Sequence, residues 1–176
     1  MKAIRVTPIV SVLMVLLAGA SLHAAEKGGL LVDISKKTVG KNDKITPNGV
    51  GNMTVDRDQT LKLDVKNTSN KELPATPVES IILVQRWESE TANIERYTGS
   101  AKLEALKPAQ VGSVLVGEFH IGGHMHGSSE MHVDHVVAWK VTLVRDGQKL
   151  EFTSGSNFDT LDRHAKPAST PVAGNR

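Results

Sequence analysis

No cysteine occurs in the 176-residue chain. A thiol nucleophile, a thiolate metal ligand, a disulfide staple and a lipid anchor on cysteine are therefore all excluded. Aromatic residues are scarce too: two Trp, one Tyr and three Phe. Beyond residue 24, neither sign of charge is in excess. Residues 1–24 contain Lys2 and Arg5 and no acid, so the remainder holds 19 basic and 19 acidic side chains. A neutral chain with so few aromatics lacks the basic footprint of a nucleic-acid binder, and no basic amphipathic stretch suggests a membrane surface. Neither partner is expected. The sequence also lacks a G-x-S-x-G elbow, an H-E-x-x-H helix and a phosphate-binding G-x-x-x-x-G-K-[ST] loop, so no common catalytic motif is present.

The N-terminus has a distinct pattern. Lys2 and Arg5 precede an apolar stretch from Ile9 to Leu17, and the small-residue run AGASLHAA follows. That order is expected of a secretory signal peptide over residues 1–24, cut after Ala24, with Ala20 as a second candidate cut. The apolar stretch is shorter than the roughly 20 residues of a spanning helix, so no membrane insertion is expected once the leader is removed. A periplasmic or secreted location follows. The remaining chain, about 150 residues, is long enough for one core without disulfides. We expect one domain over residues 25–164 and a disordered tail over 165–176, which is rich in Pro and Ala.

Period-2 alternation recurs along the chain. Leu61, Leu63 and Val65 alternate with Lys62, Asp64 and Lys66, and Val137, Trp139, Val141 and Leu143 alternate with Ala138, Lys140 and Thr142. Leu115, Phe119 and Ile121 share a parity, while Ile81–Val84 is an apolar run suited to a central strand. Leu30–Ile34 and Leu150–Thr153 bring the candidate strands to at least six. Turns are signalled by Thr46-Pro47-Asn48-Gly49, by Asn67-Thr68-Ser69-Asn70 and by a tight Asp146-Gly147 hairpin. Residues 88–105 read as partly helical, interrupted at Thr98-Gly99-Ser100. Trp87 and Trp139 fall in strand-like runs and are expected to pack in the core.

These features give an all-β fold, an antiparallel sandwich of about seven strands. The Leu61–Ser69 strand and Asn turn resemble exported bacterial immunoglobulin-like modules. Leu103-Glu104-Ala105-Leu106-Lys107-Pro108 is similar to the Leu-x-Pro corner of fibronectin type III domains, with Ala109 where that family carries glycine. The resemblance implies an immunoglobulin-like sandwich. It implies no function, because such modules host many.

Chemistry concentrates in one stretch. Five of the seven histidines, His120, His124, His126, His132 and His135, fall within HIGGHMHGSSEMHVDH, interleaved with Glu130 and Asp134. No Lys or Arg lies between Lys107 and Lys140 to repel a cation. In an extended chain His124 and His126 share a face and can converge on one ion. His132 or Glu130 would supply a third ligand. Parity with Trp139 directs His135 to the core and His132 the other way, with Asp134, unless a bulge intervenes. The expected metal site is thus His124, His126, His132 and Glu130. Zinc suits imidazole with carboxylate, copper suits several imidazoles, and Met125 and Met131 would add soft donors.

A non-catalytic binding module for copper or zinc is the primary expectation. The alternative is a structural or protein-interaction domain with incidental histidines and an unidentified protein partner. A third reading comes from His124-Met125-His126 and Glu130, which are similar to the H-x-H-x-x-x-E core of the first cupin motif and imply a metalloenzyme. Glu118 and Val137 stand where cupins carry glycine, and no second motif follows residue 140.

Overall fold

The computed structural model describes residues 23–45, 53–87, 93–126 and 130–168. Of Met125, His126, Glu130 and Met131 it describes the backbone alone. Residues 1–22 of the expected leader, the segment 46–49 expected to turn, and residues 169–176 lie outside the described set. Strands β1 (His23–Lys27), β2 (Leu30–Lys41), β3 (Lys44–Ile45), β4 (Met53–Asn67), β7 (Val111–His126) and β8 (Glu130–Val133) form one sheet. Its order is β1-β2-β4-β7-β8, with β3 also on β4. Strands β5 (Thr76–Arg86), β6 (Asn93–Leu103), β9 (His135–Arg145), β10 (Gln148–Thr153) and β11 (Lys166–Pro167) form the other, ordered β10-β9-β5-β6-β11. All pairings are antiparallel except β11 with β6.

The all-β expectation holds, and all six candidate strands are strands. Alternation explains the packing. Leu61, Leu63 and Val65 of β4 face Val78, Ile82 and Val84 of β5 and Trp139, Val141 and Leu143 of β9 across one buried core. Asp146 and Gly147, both at positive φ, close the β9–β10 hairpin as the sequence suggested. Asn67 is fully buried at the end of β4. Its Nδ2 donates to the Lys71 and Leu106 carbonyls, and its Oδ1 accepts from the Ser69 backbone N–H and hydroxyl. That side chain is the Asn turn read from the sequence.

Several expectations are corrected. Residues 93–103 form β6, not a helix, because tertiary pairing with β5 along the whole strand overrides local propensity. A short helix, α1 (Phe158–His164), instead covers the outer face of the second sheet, where Phe158 packs on Leu83 and Ala138. The segment read as a tail begins within the fold: Lys166 and Pro167 pair with Glu95 and Arg96, and Ala168 packs on the core.

Two bulges correct the parity. In β7 the register steps from Thr60–Glu118 to Leu61–Val116, leaving Gly117 unpaired at φ +71. Leu115 consequently faces solvent, while Val116, Phe119 and Ile121 are buried. In β9 the register steps from Leu83–Ala138 to Val84–Val136, leaving Val137 unpaired. His135 therefore lies on the solvent side and is exposed; it is not a core histidine.

Candidate functional site

The histidine stretch crosses between the sheets. It runs along the end of β7, returns as the edge strand β8, and passes to the second sheet at Asp134. The β7–β8 register sets Gly123 opposite Val133, His124 opposite His132, Met125 opposite Met131 and His126 opposite Glu130. All four residues expected as ligands thus occupy two cross-strand pairs on one face, with the Met125–Met131 pair between them. Residues directly opposite have Cβ atoms about 4.5–5.5 Å apart, and pairs two positions apart share a face. The backbones approach closely because Gly123 sits at φ +150, where an added Cβ would collide with the His132 carbonyl and the Val133 backbone.

His124, on β7, and His132, on β8, are exposed and line a cleft of about 290 Å³. Arg86, Trp87, Glu95, His120 and Asp134 complete its walls, and Gly122 and Gly123 leave it free of side chains between the imidazoles. His120 is four residues from His124 along an extended strand, about 13 Å, so the two imidazoles mark opposite ends. Among the described residues no three His, Asp or Glu side chains converge on one point. His124 and His132 provide two donors, and a third would have to come from the His126–Glu130 pair or from outside the chain.

Asp134 is the structural hub of this region, with its side chain only 6% exposed. Its Oδ2 accepts from Gly122 N–H (2.9 Å) and from the Arg86 guanidinium, and its Oδ1 from Trp87 N–H (3.0 Å). Its own N–H donates to the Gly122 carbonyl at 2.9 Å. Asp134 therefore does not accompany His132 as a solvent-facing ligand, because its oxygens are occupied by fixed donors. Arg86 is held from every side: Nε donates to Glu95 (2.9 Å), Nη1 also to the His120 carbonyl (3.0 Å), and Nη2 to Tyr97 Oη. Burial opposes the Arg86 charge, but the Asp134 and Glu95 carboxylates outweigh it and hold its pKa above the ordinary guanidinium value. Burial likewise pushes the Tyr97 hydroxyl up to about 12, so it stays protonated and donates to Glu95 at 2.9 Å.

Three features escaped the sequence reading. Arg86 brings a cation to a stretch that has none of its own, and only the β5–β9 pairing reveals it. Trp87 is 42% exposed, edge-on to His132 at 5.4 Å, whereas Trp139 is buried as expected. Asp56 and Asp58, on β4, flank His120, whose Nδ1 lies 3.2 Å from Asp58 Oδ1 and 3.8 Å from Asp56 Oδ1. The i, i+2 spacing of those aspartates on a strand was the available signal.

No protein-family model matches the chain, and no curated protein is similar to it. Among solved structures, a crystal structure from Akkermansia muciniphila is similar at 11% identity, covering 84% of this chain and 86% of that one with a TM-score of 0.37. That likeness is too distant to carry a function across.

Proposed function

We propose that the chain is an exported, non-catalytic binding module that holds one copper or zinc ion at the β7–β8 hairpin. The two-sheet body would serve as an immunoglobulin-like scaffold presenting that hairpin at its end. The observation carrying this reading is the register, which pairs His124 with His132 and, two rungs further on the same face, His126 with Glu130. Two cross-strand imidazoles at the sheet edge can rotate onto one ion, and His126 or Glu130, two rungs along on the same face, would supply a further donor. Local charge favours a cation: the cleft lining contains Glu95 and Asp134 against Arg86 alone, with Asp56 and Asp58 beside His120.

Equilibrium dialysis of tag-free protein, purified without a metal column, tests the reading. We expect one Cu²⁺ or Zn²⁺ per chain, with affinity falling at least about tenfold in a His124→Ala/His132→Ala variant. Binding no tighter than that of a scrambled histidine-rich peptide, or binding unchanged in the variant, would overturn it.

A further inference from the structure

The cleft wall formed by Trp87, Glu95 and His120 carries different chemistry. Of the six aromatic side chains, Tyr97, Phe119, Trp139, Phe152 and Phe158 are buried, and Trp87 alone is exposed. Its indole is not a loose surface group. The Trp87 backbone N–H donates to Asp134, the preceding Arg86 is clamped by Glu95, Asp134 and Tyr97, and the ring abuts His132 at an interplanar angle of 71°. An apolar surface held rigidly beside a polar cleft loses little entropy when a ligand covers it.

Two polar groups lining the same cleft have bonding capacity left. Glu95 uses Oε2 for both Arg86 and Tyr97, and its Oε1 makes no hydrogen bond among the described residues. The Asp58 carboxylate can only accept, so Nδ1 donates in the His120–Asp58 bond, and in that tautomer of the neutral ring Nε2 is an acceptor. Both vacant atoms are therefore acceptors. The lining carries a surplus of negative charge, and the indole offers the electron-rich face that attracts cations. An oxyanion would be repelled here. A neutral hydroxyl would leave the charge surplus unanswered. A primary ammonium group satisfies all three features, giving N–H donors to two acceptors, positive charge to the carboxylates and a cation to the ring.

We propose that Trp87, Glu95 and His120 form a subsite for a primary ammonium group, borne by a small free amine or by a lysine side chain. The inference goes beyond the metal reading and uses other side chains of the same cleft, with Trp87 bordering His132. Calorimetric titration of the EDTA-treated full chain keeps the two apart. Both 1,5-diaminopentane and Nα-acetyl-lysine amide would be titrated; saturable binding of either, near about 1 mM, supports the subsite, and the tighter one identifies the source. Tetramethylammonium has no N–H and is expected to bind at least about tenfold more weakly. Trp87→Leu, a change at an exposed ring, is expected to weaken binding about fivefold, and Glu95→Gln about tenfold. Absence of saturable heat with either amine would overturn the proposal. So would equal binding of tetramethylammonium or glucose, or parental affinity in a Trp87→Leu protein whose circular dichroism is unchanged.

Discussion

At the scale of single residues, side-chain chemistry at two positions decides what the backbone tolerates. Ala109 stands where the fibronectin-like corner carries glycine, and it adopts φ +64 while donating its N–H to the Asn67 carbonyl at 2.8 Å. An alanine in that region costs roughly 1–2 kcal/mol. Glycine removes the strain but adds about 0.5–1 kcal/mol of unfolded-state entropy. We expect Ala109→Gly to stabilise by about 0.5 kcal/mol, seen as a Tm rise of about 1–2 °C by calorimetry; a fall would show the corner to be unstrained. Asp43 gives the pH dependence. Its side chain is 8% exposed, and it accepts two bonds of 3.0 Å from Arg57 Nε and one of 3.2 Å from Asp56 N–H. The Arg57 hydrogen bond, with help from Asp56, lowers its pKa to about 2 against burial. A free Asp titrates near about 3.9, so the stabilisation is fully present above about pH 4 and is lost as pH falls towards 2. In acid titrations followed by circular dichroism, Asp43→Asn is expected to show a shallower loss of stability between about pH 4 and pH 2.

At the scale of elements, the sequence revealed strands better than it revealed their faces. Alternation located β4, β7 and β9 because one side of each is mostly buried, whereas the unbroken apolar run of β5 reflects burial on both sides, with Leu83 under Phe158. It failed at Leu115 and His135 because one extra residue inverts every position beyond it, and the alternation pattern gives no sign of Gly117 or Val137 being unpaired. The H-x-H pair was legible, since i and i+2 share a face in any register. Its partners across the strand pair follow from the β7–β8 register, which alternation alone does not set. His120 was not legible as an oriented imidazole, because Asp58 is 62 residues away in sequence. The bulge at Gly117 supports a definite expectation. A Cβ there would lie 2.6 Å from Ser80 Oγ and 2.8 Å from Ile82 Cδ1, and the Gly117 backbone lies so close to Gly99 on β6 that a Cβ added at Gly99 would collide with Gly117 Cα. Positive φ and steric overlap act in the same direction. We expect Gly117→Ala to destabilise by about 3 kcal/mol in urea titrations. A change below about 1 kcal/mol would mean that the close approach of β6 to β7 is not fixed there.

At the scale of the whole molecule, the polar tie around Arg86 couples the two sheets at the end that carries the site. Arg86 belongs to β5 of the second sheet, and it reaches the His120 carbonyl of the first. Asp134 lies where the chain crosses between them and binds Gly122 on one side and Trp87 on the other. Hydrophobic burial holds the sheets together but is indifferent to small sliding motions; a directional network fixes their relative position. Removing one partner leaves the others charged and desolvated. We therefore expect Arg86→Met to destabilise by about 3–5 kcal/mol, because Asp134 and Glu95 lose their shared cation. Asp134→Leu alone should cost a similar amount. In the double variant Arg86→Met/Asp134→Leu the largest uncompensated pair is gone, so the two losses should add to clearly less than their sum. The same double variant should weaken metal binding at the hairpin even where its urea midpoint recovers, since Gly122 and Trp87 would no longer be held. Full additivity of the single changes would show Arg86 and Asp134 to be energetically independent. Unchanged metal affinity in a folded double variant would show that the hairpin needs no support from the second sheet.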